Sequence, residues 1–226
     1  LKYATIVADP PWKVAAGRTI GDYVRGKDGS QPFGVRNNAA RKLSYPSMSV
    51  AEISALHVPA ADNAHLYLWT INAYLEEAFQ VVKAWGFKYS TTLVWAKAPM
   101  GGGLGGCYGL ATEYVLFCRR GTLAANGRIP INWFDWPRPY DERGKPKHSA
   151  KPPSFFSMVK AMSPGPHLEM FARAPREDWD VWGNEVQSDV TLCSDCPPAG
   201  YSTEKTRCSP CPQRSQSDAD VKSEGK

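Results

Sequence analysis

The stretch Thr5-Ile6-Val7-Ala8-Asp9-Pro10-Pro11-Trp12 decides the fold. Thr5 to Ala8 is short, mainly apolar and without alternation, the pattern of a strand buried on both faces, as in a parallel sheet. Such sheets take ligands at the carboxyl ends of their strands, which puts Asp9 at the ligand edge. Pro10 and Pro11 restrict φ and carry no N–H, so their carbonyls can only accept hydrogen bonds. Trp12 adds a flat apolar face. This combination predicts a pocket for a planar group that donates hydrogen bonds from an amino nitrogen.

Working outward, residues 13 to 44 hold Gly17, Gly21, Gly26, Gly29, Pro32 and Gly34 and read as a long functional loop. Ser49-Val50-Ala51-Glu52 is a capping-box pattern that predicts a helix start. His65 to Thr70 reads as a strand. Leu75, Ala78, Phe79, Val82 and Trp85 have helical spacing, which predicts a helix over 72–85 stopped by Gly86. Tyr89 to Trp95 and Tyr114 to Cys118 read as strands, separated by a Gly-rich loop over 99–109. Residues 121 to 151 read as a second long loop. Pro152-Pro153 opens a helix with Phe155, Phe156, Val159 and Met162. Leu168 to Ala172 is the last predicted strand. Alternating strands and helices imply a mostly parallel sheet with helices on both faces. The strand-end rule then singles out Asp9, Thr70, Lys97 and Arg173.

Adenine's exocyclic amine fits the Asp9-Pro10-Pro11-Trp12 segment. Its two protons can go to the Asp9 carboxylate and the Pro10 carbonyl while the ring lies near Trp12. Engaging both protons pushes the nitrogen towards tetrahedral geometry and frees its lone pair to attack an electrophilic methyl. The catalysis would be positioning and electrostatics, without a covalent enzyme intermediate. In a duplex the base must first leave the stack.

The tetrapeptide resembles the catalytic motif of the amino-methyltransferases. The wider pattern resembles the branch that holds the catalytic subunit of the eukaryotic messenger-RNA adenine methyltransferase and its bacterial and phage relatives. The likeness runs over roughly residues 3 to 186. Besides Ala8 to Trp12 it rests on Tyr45-Pro46-Ser47-Met48, Leu68-Trp69, Val94-Trp95-Ala96-Lys97 and Glu113 in Thr-Glu-Tyr-Val-Leu. It continues in His148-Ser149-Ala150-Lys151-Pro152, Leu168 to Arg173 and Gly183-Asn184-Glu185. The resemblance implies a Rossmann-like α/β methyltransferase domain with permuted motif order, the catalytic motif first and the cofactor motifs last. It implies S-adenosylmethionine as methyl donor. Asp9, Pro10, Pro11 and Trp12 would be catalytic, and Asp9, Lys151, Phe171, Arg173, Asn184 and Glu185 would meet the cofactor, Lys151 through its methionine carboxylate. Tyr45, Lys97 and Glu113 would meet the substrate. The chain departs from the family at Ala174-Pro175-Arg176, where the messenger-RNA enzyme has a His and an Asn against the ribose. It also departs at Lys151, offset by one residue, and at Glu185, which replaces a Gln.

The net charge of +5 is unevenly spread. Residues 13 to 44 hold seven basic and two acidic side chains, and residues 119 to 151 hold eight and three. Basic loops on a near-neutral scaffold suit a polyanion, although solvated surface is the plainer explanation of charge alone. The expected partner is nucleic acid, with DNA favoured over RNA by likeness to the compact bacterial and phage forms. The same chemistry on RNA, or a non-catalytic nucleic-acid-binding subunit, are the alternatives. No apolar run approaches the ~20 residues of a membrane span, and no secretion pattern opens the chain. A cytoplasmic protein of bacterial or phage origin is expected, and a homodimer or heterodimer is compatible with the sequence.

Two domains follow from composition: residues 1–186 as the methyltransferase, and residues 187–226 as a Cys-rich tail, poor in aliphatic residues and disordered away from its cysteines. In that tail Cys193, Cys196, Cys208 and Cys211 form two C-x-x-C pairs, whose spacing suits a structural four-thiolate zinc knuckle. Two disulfides or free thiols are the alternative.

Overall fold

The computed structural model describes residues 1–13, 46–97, 110–145, 147 and 150–192. Among the described residues, seven strands form one sheet in the order β5-β3-β4-β2-β1-β6-β7. They are β1 Tyr3–Ala8, β2 Ala60–Thr70, β3 Lys88–Ala96, β4 Thr112–Arg120, β5 Trp133–Phe134, β6 His167–Met170 and β7 Asp180–Trp182. The helices are α1 Val50–Ala55, α2 Leu75–Ala84 and α3 Pro153–Met162, with a 3-10 turn at Asn72–Tyr74 leading into α2.

β1 lies between two parallel neighbours, with Ala8 level with Leu68 of β2 and Met170 of β6. Its unalternating apolar run follows from that position, because each face is covered. Ile6 and Ala8 pack with Leu66, Leu68, Leu168 and Met170, and with Ile53 of α1 and Val81 and Val82 of α2. Val7 points the other way and packs with Tyr67, Trp69 and Trp95, and with Phe155, Phe156 and Val159 of α3. Helices therefore cover both faces, as expected. The sheet is mixed, which corrects the expectation of a mostly parallel one: β4 runs antiparallel to both β2 and β3. The residues between β3 and β4 carry no helical pattern. Their sequence gives no signal for the crossover helix that a parallel return needs.

Local chemistry accounts for the helix ends. The Ser49 hydroxyl accepts from the Glu52 N–H, and the Ser49 N–H donates to the Glu52 carboxylate, which completes the capping box. Gly86, at φ +73°, stops α2 in a Schellman motif: its N–H donates to Lys83 O and the Phe87 N–H to Val82 O, both at 3.0 Å. Pro153 starts α3, where a missing N–H costs nothing.

Two strands went unpredicted. β5 has two residues inside the stretch read as loop, and β7 has three, with a charged residue first. Each is defined by its pairing with a neighbour and not by a periodic pattern. Residues following β7 also pack. The Asp189 carboxylate accepts from the Val181 N–H, and Val190 and Leu192 lie against the core. No helix among the described residues is long and apolar enough to cross a membrane.

Candidate active site

The carboxyl ends of β1, β2, β6 and β7 surround a cavity of about 620 Å³. Asp9, Pro10, Pro11 and Trp12 line one side. The Asp9 N–H points back to Met170 O at 3.5 Å, so the residue leaves β1 still aligned with β6. The Pro10 carbonyl accepts from the Trp12 N–H at 2.8 Å, a three-residue turn that holds the segment tight. One lone pair of that carbonyl stays available. The Pro11 carbonyl accepts from the Met48 N–H at 2.9 Å, which ties on the segment before α1. Pro46 and Met48 form a further wall.

Trp12 differs from the open platform that its position suggested. It is 5% exposed, its indole N–H donates to Trp69 O at 3.2 Å, and its ring stacks on Tyr74. It is a fixed wall of the cavity with one face already covered.

The opposite wall comes from β6 and β7. Phe171 adopts φ +63°, a left-handed turn directly after β6, and packs edge-on to Trp182. Ala172 and Gly183 meet here at close range: a Cβ on Gly183 would lie 2.0 Å from Ala172 O. Only glycine permits that approach, and it brings Asn184 and Glu185 to the rim of the same cavity as Arg173.

The floor is charged. Lys151, just before α3, lies 3.0 Å from Asp9 Oδ2 and 3.0 Å from Glu113 Oε2. Glu113, in β4, is also paired with Lys97 at the end of β3. The ammonium of Lys151 sits over the Trp69 ring at 4.8 Å and that of Lys97 over the Trp95 ring at 4.7 Å. Burial pushes the Asp9 carboxyl up, and Lys151 only partly offsets it. Burial pushes Glu113 up as well, but Lys151 and Lys97 together outweigh it and hold it below the usual carboxylate range. For Lys151 burial works against the charge, yet its two carboxylates more than restore it and its pKa is raised. For Lys97 burial prevails over Glu113 and lowers it.

Of the residues singled out from sequence, Asp9, Pro10, Pro11, Trp12, Glu113, Lys151, Phe171, Arg173, Asn184 and Glu185 all line this one cavity. Lys97 does not line it and reaches it only through Glu113. Tyr45 and the four cysteines Cys193, Cys196, Cys208 and Cys211 lie outside the described residues. Among the described residues no cluster of ligands could hold a metal ion. Ile71 and Trp182 also line the cavity and were not anticipated. Nothing in a single sequence marks them, since an apolar residue at a strand end looks like core.

Known proteins are similar to this chain over most of its length. The MT-A70 family model matches residues 3–104. The type II methyltransferase M.MunI of Mycoplasma sp is 29% identical over 198 residues, covering 82% of this chain and 78% of that protein. A putative N(6)-adenosine-methyltransferase MT-A70-like protein of Medicago truncatula and an N(6)-adenosine-methyltransferase MT-A70-like protein of Drosophila melanogaster are each 24% identical over 195 residues. The chain spans only 26% and 27% of the length of these two. With Asp9-Pro10-Pro11-Trp12 set at the mouth of its cavity, the chain is similar to the MT-A70 methyltransferases over residues 3–104 and to a type II methyltransferase over most of its length.

Proposed function

We propose that this protein transfers a methyl group from S-adenosylmethionine to the exocyclic nitrogen of adenine in DNA. The observation that carries the reading is the meeting, in one 620 Å³ cavity, of a strand-end carboxylate, an acceptor-only carbonyl and a rim of ribose-type acceptors. Cavities of this size hold drug-sized or cofactor-sized ligands. The amine of the adenine donates to the Asp9 carboxylate and to the free lone pair of the Pro10 carbonyl. Both acceptors are fixed before the substrate arrives, Asp9 by Lys151 and Pro10 by its turn, so little reorganisation accompanies reaction. The amine keeps its remaining lone pair directed into the cavity.

The chemistry of the residues present fits the methyl donor. Glu185 and Asn184 supply oxygen acceptors for ribose hydroxyls, Phe171, Trp182 and Ile71 supply apolar surface, and Arg173 and Lys151 supply positive charge for a carboxylate. When bound, the donor supplies a methyl group made electrophilic by its sulfonium. Lys151 already serves two carboxylates, so a methionine carboxylate bound there would share its ammonium with Asp9 and Glu113.

Nucleic acid as substrate is supported by the surface beside the site. β5 pairs with β3 at Val94 and Trp95, next to Lys97, and so lies on the same carboxyl edge as Asp9. Trp133 of β5 and Tyr140 further along the same stretch are each 55% exposed, and that stretch also carries exposed Arg128, Arg143, Lys145 and Lys147. Aromatic faces with interleaved cations suit stacked bases and phosphates. Replacing both Trp133 and Tyr140 by Ala is expected to raise KM for an oligonucleotide about tenfold or more, with ~1–3 kcal/mol per lost stacking contact, while affinity for S-adenosylmethionine stays unchanged. An unaltered KM would remove this loop from the substrate path.

DNA is favoured because the chain and the type II methyltransferase match over most of both lengths, whereas the chain spans about a quarter of the N(6)-adenosine enzymes. Incubation with S-adenosylmethionine labelled in its methyl group is expected to put label into adenine of DNA oligonucleotides. Label in RNA alone would overturn the DNA assignment. Bound donor with no label in either would favour a non-catalytic subunit.

A further inference from the structure

Lys97 was expected to contact the substrate, yet its ammonium is turned into the protein and paired with Glu113. The result is a row of four side chains with alternating charge: Asp9, Lys151, Glu113, Lys97. Lys151, Glu113 and Lys97 have side chains only 11%, 13% and 14% exposed, and Asp9, the end that meets the cavity, is 30% exposed. Counted formally, the row is neutral only when Lys97 is included. Without it, two carboxylates would share one ammonium in a half-dry setting.

We propose that Lys97 is a positioning residue for methyl transfer, which closes the charge balance of this row from outside the cavity and thereby sets the charge that Asp9 presents to the amine. The inference rests on Asp9 being the acceptor of the amine. An ionised Asp9 accepts a hydrogen bond, whereas a protonated one offers a donor to a group that must itself donate. Burial already pushes Asp9 towards the protonated form. The row opposes that, because every positive charge in it lowers the cost of the negative one at its end. Coulomb interaction across two partners, at an effective dielectric constant near 20, suffices to change the ratio of the two protonation forms by roughly tenfold. That is about one pH unit.

Among the described residues, other charges also face the row. Arg173 acts on Asp9 from the far wall and lowers its pKa. Glu169 also faces Asp9, but is itself paired with Arg176 at 2.7 Å. Arg138 faces Lys97 and adds to its burial in lowering it. Arg173 offsets part of the charge at Asp9, and deleting Lys97 leaves the four-membered row itself with one negative charge in excess.

The test is the pH profile of single-turnover methylation of an adenine-containing DNA oligonucleotide, with S-adenosylmethionine affinity measured by calorimetry beside it. Lys97→Met is expected to move the acidic limb to higher pH by about one unit, a roughly tenfold loss of rate on that limb with the alkaline plateau nearly kept. Lys97→Arg should restore the limb. Glu113→Gln removes a negative charge and should move the limb the other way. The double variant Lys97→Met with Glu113→Gln is again formally neutral and should return the limb towards the original position. A Lys97→Met profile lowered equally at every pH, or a double variant no closer to wild type than the single, would overturn the proposal. If Lys97→Met does not fold, the downward shift in Glu113→Gln reads the same coupling, and its absence overturns it. Failure of the Asp9 assignment is separate: Asp9→Ala would then turn over normally, whatever Lys97 does.

Discussion

Asp9→Ala is expected to reduce methyl transfer by about a hundredfold to a thousandfold, the loss seen when one preorganised electrostatic partner of a reacting group is deleted. Asp9 carries this weight because it is the one cavity carboxylate that extends β1 and stands beside the carbonyl of Pro10. The substitution removes an acceptor and leaves the amine with the Pro10 carbonyl alone. It also releases Lys151 from one partner, while Glu113 keeps the ammonium in place at 3.0 Å. The fold should therefore survive. Burial raises Asp9, so its charge works against stability at neutral pH, and its loss should leave the protein equally or more stable. Single-turnover kinetics and a thermal melt check both halves. Near-normal turnover by Asp9→Ala would refute the role, and a collapsed melt would show that the carboxylate is structural.

Lys151→Met is expected to cost about 3 kcal/mol of stability at pH 8 as well as most of the activity. Removing one partner from a buried ion pair leaves the other uncompensated, typically a loss of 3–5 kcal/mol. Here Asp9 and Glu113 both lose a neighbour at 3.0 Å, although Asp9 is partly solvated and Glu113 retains Lys97. The sign with pH follows from the shifts. Glu113 is held below its ordinary value of 4.5, so its stabilising charge is present above that value and is lost as pH falls through the lowered one. Lys151 is raised above 10.5, so its contribution is present below that value and fades only at still higher pH. The difference between variant and wild type should thus be large from neutral pH into the alkaline range and shrink below about pH 5, where the stranded carboxylates protonate. Urea midpoints at pH 8 and pH 5 measure it. Equal midpoints of the two proteins at pH 8 would show that the ion pairs are energetically idle. Because the variant loses an ion pair rather than a core side chain, its packing around Trp69 and Phe155 should persist.

How much of this was legible beforehand depended on distance along the chain. The capping box at Ser49, the stop at Gly86 and the Pro153 helix start were readable because each involves residues within one turn. The buried run of β1 was readable because burial on both faces leaves a one-dimensional mark. The antiparallel course of β4 was not, since strand direction depends on what the intervening chain does and not on the strand's own residues. β5 and β7 were missed for the same reason: Trp133-Phe134 and Asp180-Val181-Trp182 are too short to carry a period.

Asp9-Pro10-Pro11-Trp12 by itself determined the chemistry on offer: an acid after a buried strand, two carbonyls that can only accept, and an aromatic wall. These properties belong to the residue types and need no partner. Only the tertiary structure decided that Lys151 faces Asp9 and Glu113 together, that Lys97 stands behind Glu113 rather than in the cavity, and that Trp12 has one face already taken by Tyr74. Electrostatic pairing and burial act through space, among groups up to 142 positions apart here. No local pattern records which distant charge will come within 3 Å.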